Sequence, residues 1–242
     1  MQRYFAISKE KEYLLLKKED IHHIKNVMRN KIGNQIECIY QEKLYICEIE
    51  SLDSNKVKIV SNTNEYHELN TEITIAIALV KEQKMDVILQ KVTELGISKI
   101  IPIEMERSIV KLDKNKFTKK KERWTTICKE AAEQSKRNKI PEIENLMTLK
   151  DLAKETYDVK LICSTTEQEE TIKKYLQQDI KGKKILFIIG PEGGISPREE
   201  EYLTISGMQP ISLGKRIMRV ETAAIYIASI LNFYSMEWWT WL

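Results

Sequence analysis

Along the first sixty residues, short apolar and β-branched runs alternate with polar turn residues. The runs at 3–7, 12–16, 35–40, 44–50 and 56–61 have strand character, and residues 41–43 and 53–55 supply turns between them. Ile21, Ile24, Val27 and Met28 recur at helical spacing, which predicts a short helix over 21–30 with Asp20 as its cap. Five short strands and one helix predict a small β-barrel. Residues 62–70 are polar and read as a linker. From Glu72 the rhythm changes. Apolar runs at 73–80, 99–103, 158–164, 184–190 and 209–213 predict strands. Helical patterns fall between or after them at 83–95, 116–136, 197–206 and 221–234. In the first of these helices Met85, Ile88, Leu89, Val92 and Leu95 share one face, and Gly96 reads as the residue that ends it. Strands alternating with helices predict a parallel sheet covered on both faces, with ligands at the carboxyl ends of its strands. The expected organisation is therefore a β-rich unit over 1–70 and an α/β unit over 71–242.

Composition narrows the class. The chain has 242 residues, 42% hydrophobic and 31% charged. That is enough to bury a core and is unlike a disordered chain. No run approaches the roughly 18 apolar residues of a spanning helix, so no membrane partner is expected. Residues 1–20 show no secretory pattern. Cys38, Cys47, Cys128 and Cys163 form no CxxC or zinc-type spacing, which predicts reduced thiols in a cytoplasmic protein and no metal site. The net charge is only +3, but residues 104–140 hold 12 basic and 6 acidic side chains, while residues 1–70 hold 11 of each. Such clustering suits a polyanion such as RNA. A generic solvated face is the alternative.

Three strand ends carry candidate chemistry. The first is Gly190-Pro-Glu-Gly-Gly-Ile-Ser196-Pro197-Arg-Glu199, where a buried strand enters a tight loop. Ser196 then caps a helix, Pro197 occupies its first position and Glu199 closes a capping box. Glycines at 193 and 194 let a ligand approach the backbone. The second is Leu213-Gly214-Lys-Arg-Ile-Met-Arg219-Val-Glu221-Thr222-Ala223, whose Lys215, Arg216 and Arg219 suggest an anionic substrate. Arg219 sits beside a helix start, a poor place for an idle cation. The third is Cys163-Ser164-Thr165-Thr166-Glu167, another strand end entering polar residues. Spacing alone does not show that the three converge.

Several motifs in order resemble the RsmE family of 16S ribosomal RNA uridine N3-methyltransferases, in the SPOUT superfamily. They are Lys81…Gln90-Lys-Val-Thr-Glu94-Leu95-Gly96, Glu106-Arg107-Ser108, Glu130-Ala-Ala-Glu133-Gln134-Ser135…Arg137, Gly190-Pro-Glu-Gly-Gly and Arg219-Val-Glu221-Thr222-Ala223. Arg3-Tyr4-Phe5, His22–His23 and Val27-Met-Arg29 resemble the family's opening. The resemblance spans essentially the whole chain. It implies a PUA-like β-barrel followed by an α/β SPOUT domain with a deep trefoil knot near its carboxyl end. It also implies S-adenosylmethionine as cofactor, 16S rRNA as substrate, possession of a homodimeric state, and cofactor binding through the knot loops. Transferred to this sequence, those loops place Ser164, Thr165, Ile189, Gly190, Pro191, Glu192, Gly194, Ile195, Leu213, Gly214, Ile217, Met218, Val220, Thr222 and Ala223 at the cofactor. The family usually has glycine where this chain has Lys136, and the Trp238-Trp239-Thr-Trp241-Leu242 tail has no counterpart; core packing is its expected role.

Methylation at uracil N3 requires loss of a ring proton and leaves charge on the flanking carbonyl oxygens. Arg219 is the first candidate to stabilise that charge and Arg3 the second. Glu221 is a candidate to accept the proton or orient Arg219; a carboxylate that merely favours a helix start is the alternative. RNA-contact candidates are Arg3, His22, Arg29, Arg107, Lys136, Arg137, Lys215 and Arg216. Two other readings stay open: a SPOUT enzyme acting on another RNA, and an assembly factor with a vestigial pocket.

Overall fold

The computed structural model describes residues 1–177 and 180–235, so the tryptophan-rich tail lies outside the described residues. The chain divides into two compact units. One comprises Met1–Glu68 with Lys129–Ile140, the other Leu69–Cys128 with Pro141–Leu242. A single cut near residue 70 thus does not describe the division, because a short segment of the later chain joins the first unit.

In the first unit the strands are β1 (Arg3–Phe5), β2 (Ser8–Glu10), β3 (Tyr13–Leu15), β4 (Gln35–Tyr40), β5 (Lys43–Glu48) and β6 (Lys56–Thr63), with α1 (Lys18–His22) continuing as a wider turn over His23–Val27. They form one six-stranded sheet in the order β1-β4-β5-β6-β3-β2, with only β1 and β4 parallel. Tyr4, Leu14, Ile36, Cys38, Cys47 and Val57 build its core. The helix begins earlier than the sequence pattern predicts, and Asp20 is inside it rather than its cap. Asp20 is drawn inward by charge: it is buried and bonds the Lys129 ammonium.

Lys129 also lies 3.3 Å from buried Glu133, so one ammonium serves two buried carboxyls. Burial pushes the Glu133 carboxyl up to about 7; Lys129 opposes the shift and Asp20 adds to it. Tyr4 and Cys38 are the other titratable groups nearby. Between the ordinary value of 4.5 and about 7, the folded state keeps a proton that the unfolded chain has released. This contribution to stability is therefore lost as pH rises through that window. The thermal midpoint of Glu133→Gln is expected to fall less between those two pH values than that of the parent. Identical slopes in the two proteins would sink the assignment.

Lys136 closes the long helix described below in the left-handed region, with φ +61°. The Arg137 amide bonds the Ala132 carbonyl, and the Lys136 amide reaches the Glu133 carbonyl. That is the cap geometry which favours glycine at the reversed residue. The reversed backbone aims the Lys136 carbonyl at Arg3 and at His67 Nδ1, 2.7 Å away. Lys136→Gly is expected to unfold at a higher temperature than Lys136→Ala, by an amount equivalent to about 1 kcal/mol, since both lose the ammonium but only glycine relieves the backbone.

The second unit contains β7 (Glu72–Ala78), α2 (Glu82–Glu94), β8 (Lys99–Ile103), most of α3 (Lys114–Gln134), β9 (Glu142–Ile143), α4 (Leu149–Lys154), β10 (Val159–Cys163), α5 (Ile172–Leu176), β11 (Lys184–Ile189), α6 (Pro197–Ile205), β12 (Gln209–Ile211) and α7 (Val220–Ser235). Its six strands are all parallel, in the order β12-β10-β11-β7-β8-β9. The predicted α/β architecture is therefore present. Central strands are apolar on both faces because helices cover both: all of β7 after Glu72 is buried. Gly96 ends α2 at φ +93°, as its pattern predicted. The short elements β9, α4 and α5 lacked a readable period.

Candidate functional site

Strands β12, β10 and β11 are neighbours and parallel, so the loops that leave their carboxyl ends emerge along one edge. This register brings the three candidate segments together. They enclose a cavity of about 550 Å³, within the roughly 300–1,000 Å³ typical of small-molecule sites. Ser164 and Thr165 line it from the first loop; Ile189, Gly190, Pro191, Gly194 and Ile195 from the second; Leu213, Gly214, Ile217, Met218, Val220 and Ala223 from the third. Lys215 and Arg216, expected at RNA, line it too.

The second loop has the predicted capping geometry. Ser196 Oγ accepts from the Glu199 amide at 3.3 Å, and Glu199 accepts from the Ser196 amide at 3.0 Å. Ser196 Oγ also donates to Glu106 at 2.7 Å. Gly190 is needed for a steric reason. A Cβ there would lie 2.6 Å from Ile195 Cγ1 and 3.2 Å from the Ile195 nitrogen, so any larger residue would press on the turn. Arg107 Nη1 donates to the Gly193 carbonyl at 3.1 Å. Arg107, expected at RNA, thus braces this loop.

The first loop is ordered by its own side chains. Ser164 Oγ donates to Glu200 at 2.8 Å, and the Thr166 amide donates to Ser164 Oγ at 3.1 Å. Glu167 accepts the amides of Gln168 and Glu169, each at 2.8 Å, and that of Glu170 at 3.1 Å. Those amides hold its carboxyl below the ordinary range. Glu167 and Glu200 put negative charge on the cavity wall.

Other expectations are displaced. Glu192 and Thr222 do not line the cavity. Glu192 turns to Lys84 of α2, 3.0 Å away, and Thr222 is exposed. Burial would raise the Glu192 carboxyl, but its own backbone amide and Lys84 hold it below the ordinary range. Arg219 is exposed and stands outside the lining, next to Val220, which is in it. Glu221 also lies outside, 3.8 Å from Lys84. Arg3 is a clear correction. It is only 1% exposed, pairs with Glu37 at 2.8 Å and donates to the carbonyls of Lys136 and Arg137. A cation so enclosed faces neither RNA nor a reacting base. Arg137 is corrected likewise: it is 2% exposed and its Nε donates to Glu68 at 3.1 Å. Lys136 is half-exposed and bonds Glu37 at 3.0 Å. His22, bonded to Asn26, and Arg29 are exposed.

Sequence reasoning missed Glu200, Gln168, Thr171 and Ser212 in the wall. For Ser212 a signal existed, since it is the first residue beyond β12. Glu200 gave none, because its role depends on β10 lying beside β11.

A cavity at the strand ends of a parallel sheet is where α/β folds usually take a small ligand, and sequence comparison gives the class. Residues 67–232 match the family model of the RNA methyltransferase domain, and residues 16–60 match the RNA methyltransferase PUA domain. The ribosomal RNA small subunit methyltransferase E of Bacillus subtilis is 38% identical over 247 residues, covering 96% of each chain. The chain belongs to the ribosomal RNA small subunit methyltransferase E family. A putative methyltransferase of Legionella pneumophila, solved with the bound cofactor SAM, superimposes with a TM-score of 0.87 at 32% identity, covering 96% of this chain and 97% of that one. The ribosomal RNA small subunit methyltransferase E of Neisseria gonorrhoeae, bound to S-adenosyl methionine, gives 0.86 at 26% identity with the same coverage.

Proposed function

We propose that this protein transfers a methyl group from S-adenosylmethionine to N3 of one uridine in 16S rRNA. The observation that carries the reading is the three-loop cavity, in a chain whose relatives are named for this class of reaction and whose structural neighbours hold the cofactor. The wall suits S-adenosylmethionine: apolar Ile189, Leu213 and Val220 fit a flat base, while Glu167 and Glu200 favour a cation.

When bound, the cofactor supplies an electrophilic methyl on sulfonium. The protein must align the acceptor with it, and near-attack placement is worth several kcal/mol. Uracil N3 lies on the pairing edge, so the base must be unpaired or flipped. Arg219 stabilises the charge that develops on the uracil oxygens, and Glu221 accepts the N3 proton or orients Arg219. Arg3 has no part in this step. Lys215 and Arg216 at the rim, and His22 and Arg29 on the first unit, contact phosphates; removing any one weakens binding and its salt dependence. The family resemblance further supports a homodimer, a cytoplasmic setting and a knotted carboxyl end built on β10, β11 and β12.

Calorimetric titration of S-adenosylmethionine tests the first half. Saturable binding at one site per chain is the expected result; no heat from folded protein would remove the reading. A methyl-acceptor assay on rRNA and tRNA pools distinguishes another RNA target.

A further inference from the structure

Three elements of the second unit meet at one ammonium. Lys84, in the first turn of α2, lies 3.0 Å from Glu192 Oε1 in the Gly190–Ile195 loop and 3.8 Å from Glu221 Oε2 in the first turn of α7. Glu221 Oε2 is buried and has no hydrogen-bond partner of its own. All three side chains are about one-fifth to one-third exposed, so the group is only partly screened. Lys81 is the other charge acting on Glu192. Ile189, Gly190 and Val220, the neighbours of these carboxylates in sequence, line the cavity.

We propose that Lys84 is a positioning residue: it fastens the cofactor loop to the start of α7 and holds the Glu221 carboxylate in place there. This rests on the methyltransferase reading for its catalytic consequence, but its structural half does not need the reaction. Two carboxylates lie within 4 Å of the same nitrogen. With the ammonium removed, two like charges are left without the cation that draws them together, and the loop and the helix start move apart.

The test compares Lys84→Met with Lys84→Arg. In Lys84→Met, S-adenosylmethionine binding is expected to weaken about tenfold near neutral pH. Turnover at saturating cofactor is expected to fall about tenfold as well. Lys84→Arg keeps the charge and is expected to restore both to within about threefold. Thermal unfolding of Lys84→Met, Glu221→Gln and the double variant reads the same contact without the cofactor; a coupling between the two sites is expected. Parent-like cofactor affinity and turnover in Lys84→Met would overturn the inference. So would equal losses in the methionine and arginine variants, which describe a packing role. Parent protein that binds no S-adenosylmethionine would instead remove the functional reading, and the unfolding cycle would still decide whether Lys84 fastens Glu221.

Discussion

Arg219→Ala is expected to lower single-turnover methyl transfer by about 10²–10³-fold, the usual loss when one donor to a developing oxyanion is removed. Binding of S-adenosylmethionine is expected to stay within a few-fold, because Arg219 lies outside the cavity wall. The fold is expected to survive. Arg219 is exposed, and its contribution to α7 is a backbone carbonyl that accepts the Ala223 amide at 2.9 Å, which alanine also provides. This separation makes the test sharp. A lost rate with intact cofactor affinity and an unchanged thermal midpoint places Arg219 on the transition state. Unchanged turnover removes it from the mechanism.

The second large effect falls on the cofactor itself. Gly190→Ala is expected to weaken S-adenosylmethionine binding by about 10- to 100-fold, the equivalent of ordinary overpacking strain. The new methyl would meet Ile195 Cγ1 at 2.6 Å and the Ile195 backbone at 3.2 Å. The side chain can yield, but the backbone can do so only by opening the turn that shapes the cavity. Trimming the partner in Gly190→Ala/Ile195→Ala is expected to recover part of the affinity. Calorimetry on the three proteins checks it. Full affinity in the single variant would mean that the turn is not tight where the structure has it tight.

Much of the second unit was legible because its signals are local. Ser196 and Glu199 announce a helix start at three-residue spacing, Gly96 announces an end, and β7 and β11 are apolar runs too short and branched for a spanning segment. The three loops were legible as loops, and Ser164, Gly190 and Gly214 as wall residues through the family resemblance. Their convergence was not, since it depends on β12, β10 and β11 being neighbours, and strand order leaves no local trace. Buried cations were misread for a related reason. Arg3 and Arg137 look like surface groups in sequence, and only the fold brings Glu37 and Glu68 to them, 34 and 69 residues away. Lys136 shows the reverse: in sequence it reads as a cation for RNA, and in the fold it is a left-handed backbone position closed by a lysine.

The central claim is methyl transfer to the pairing edge of one uridine. Mass mapping of 16S rRNA after incubation with the protein and S-adenosylmethionine tests it most directly, with small subunits offered alongside free RNA. The account predicts a single added methyl on one uridine, positioned so that reverse transcription is blocked there, and proportionately less of it with Gly190→Ala at limiting cofactor. A methyl on ribose or on another base, or none on either substrate while the cofactor binds, would contradict it.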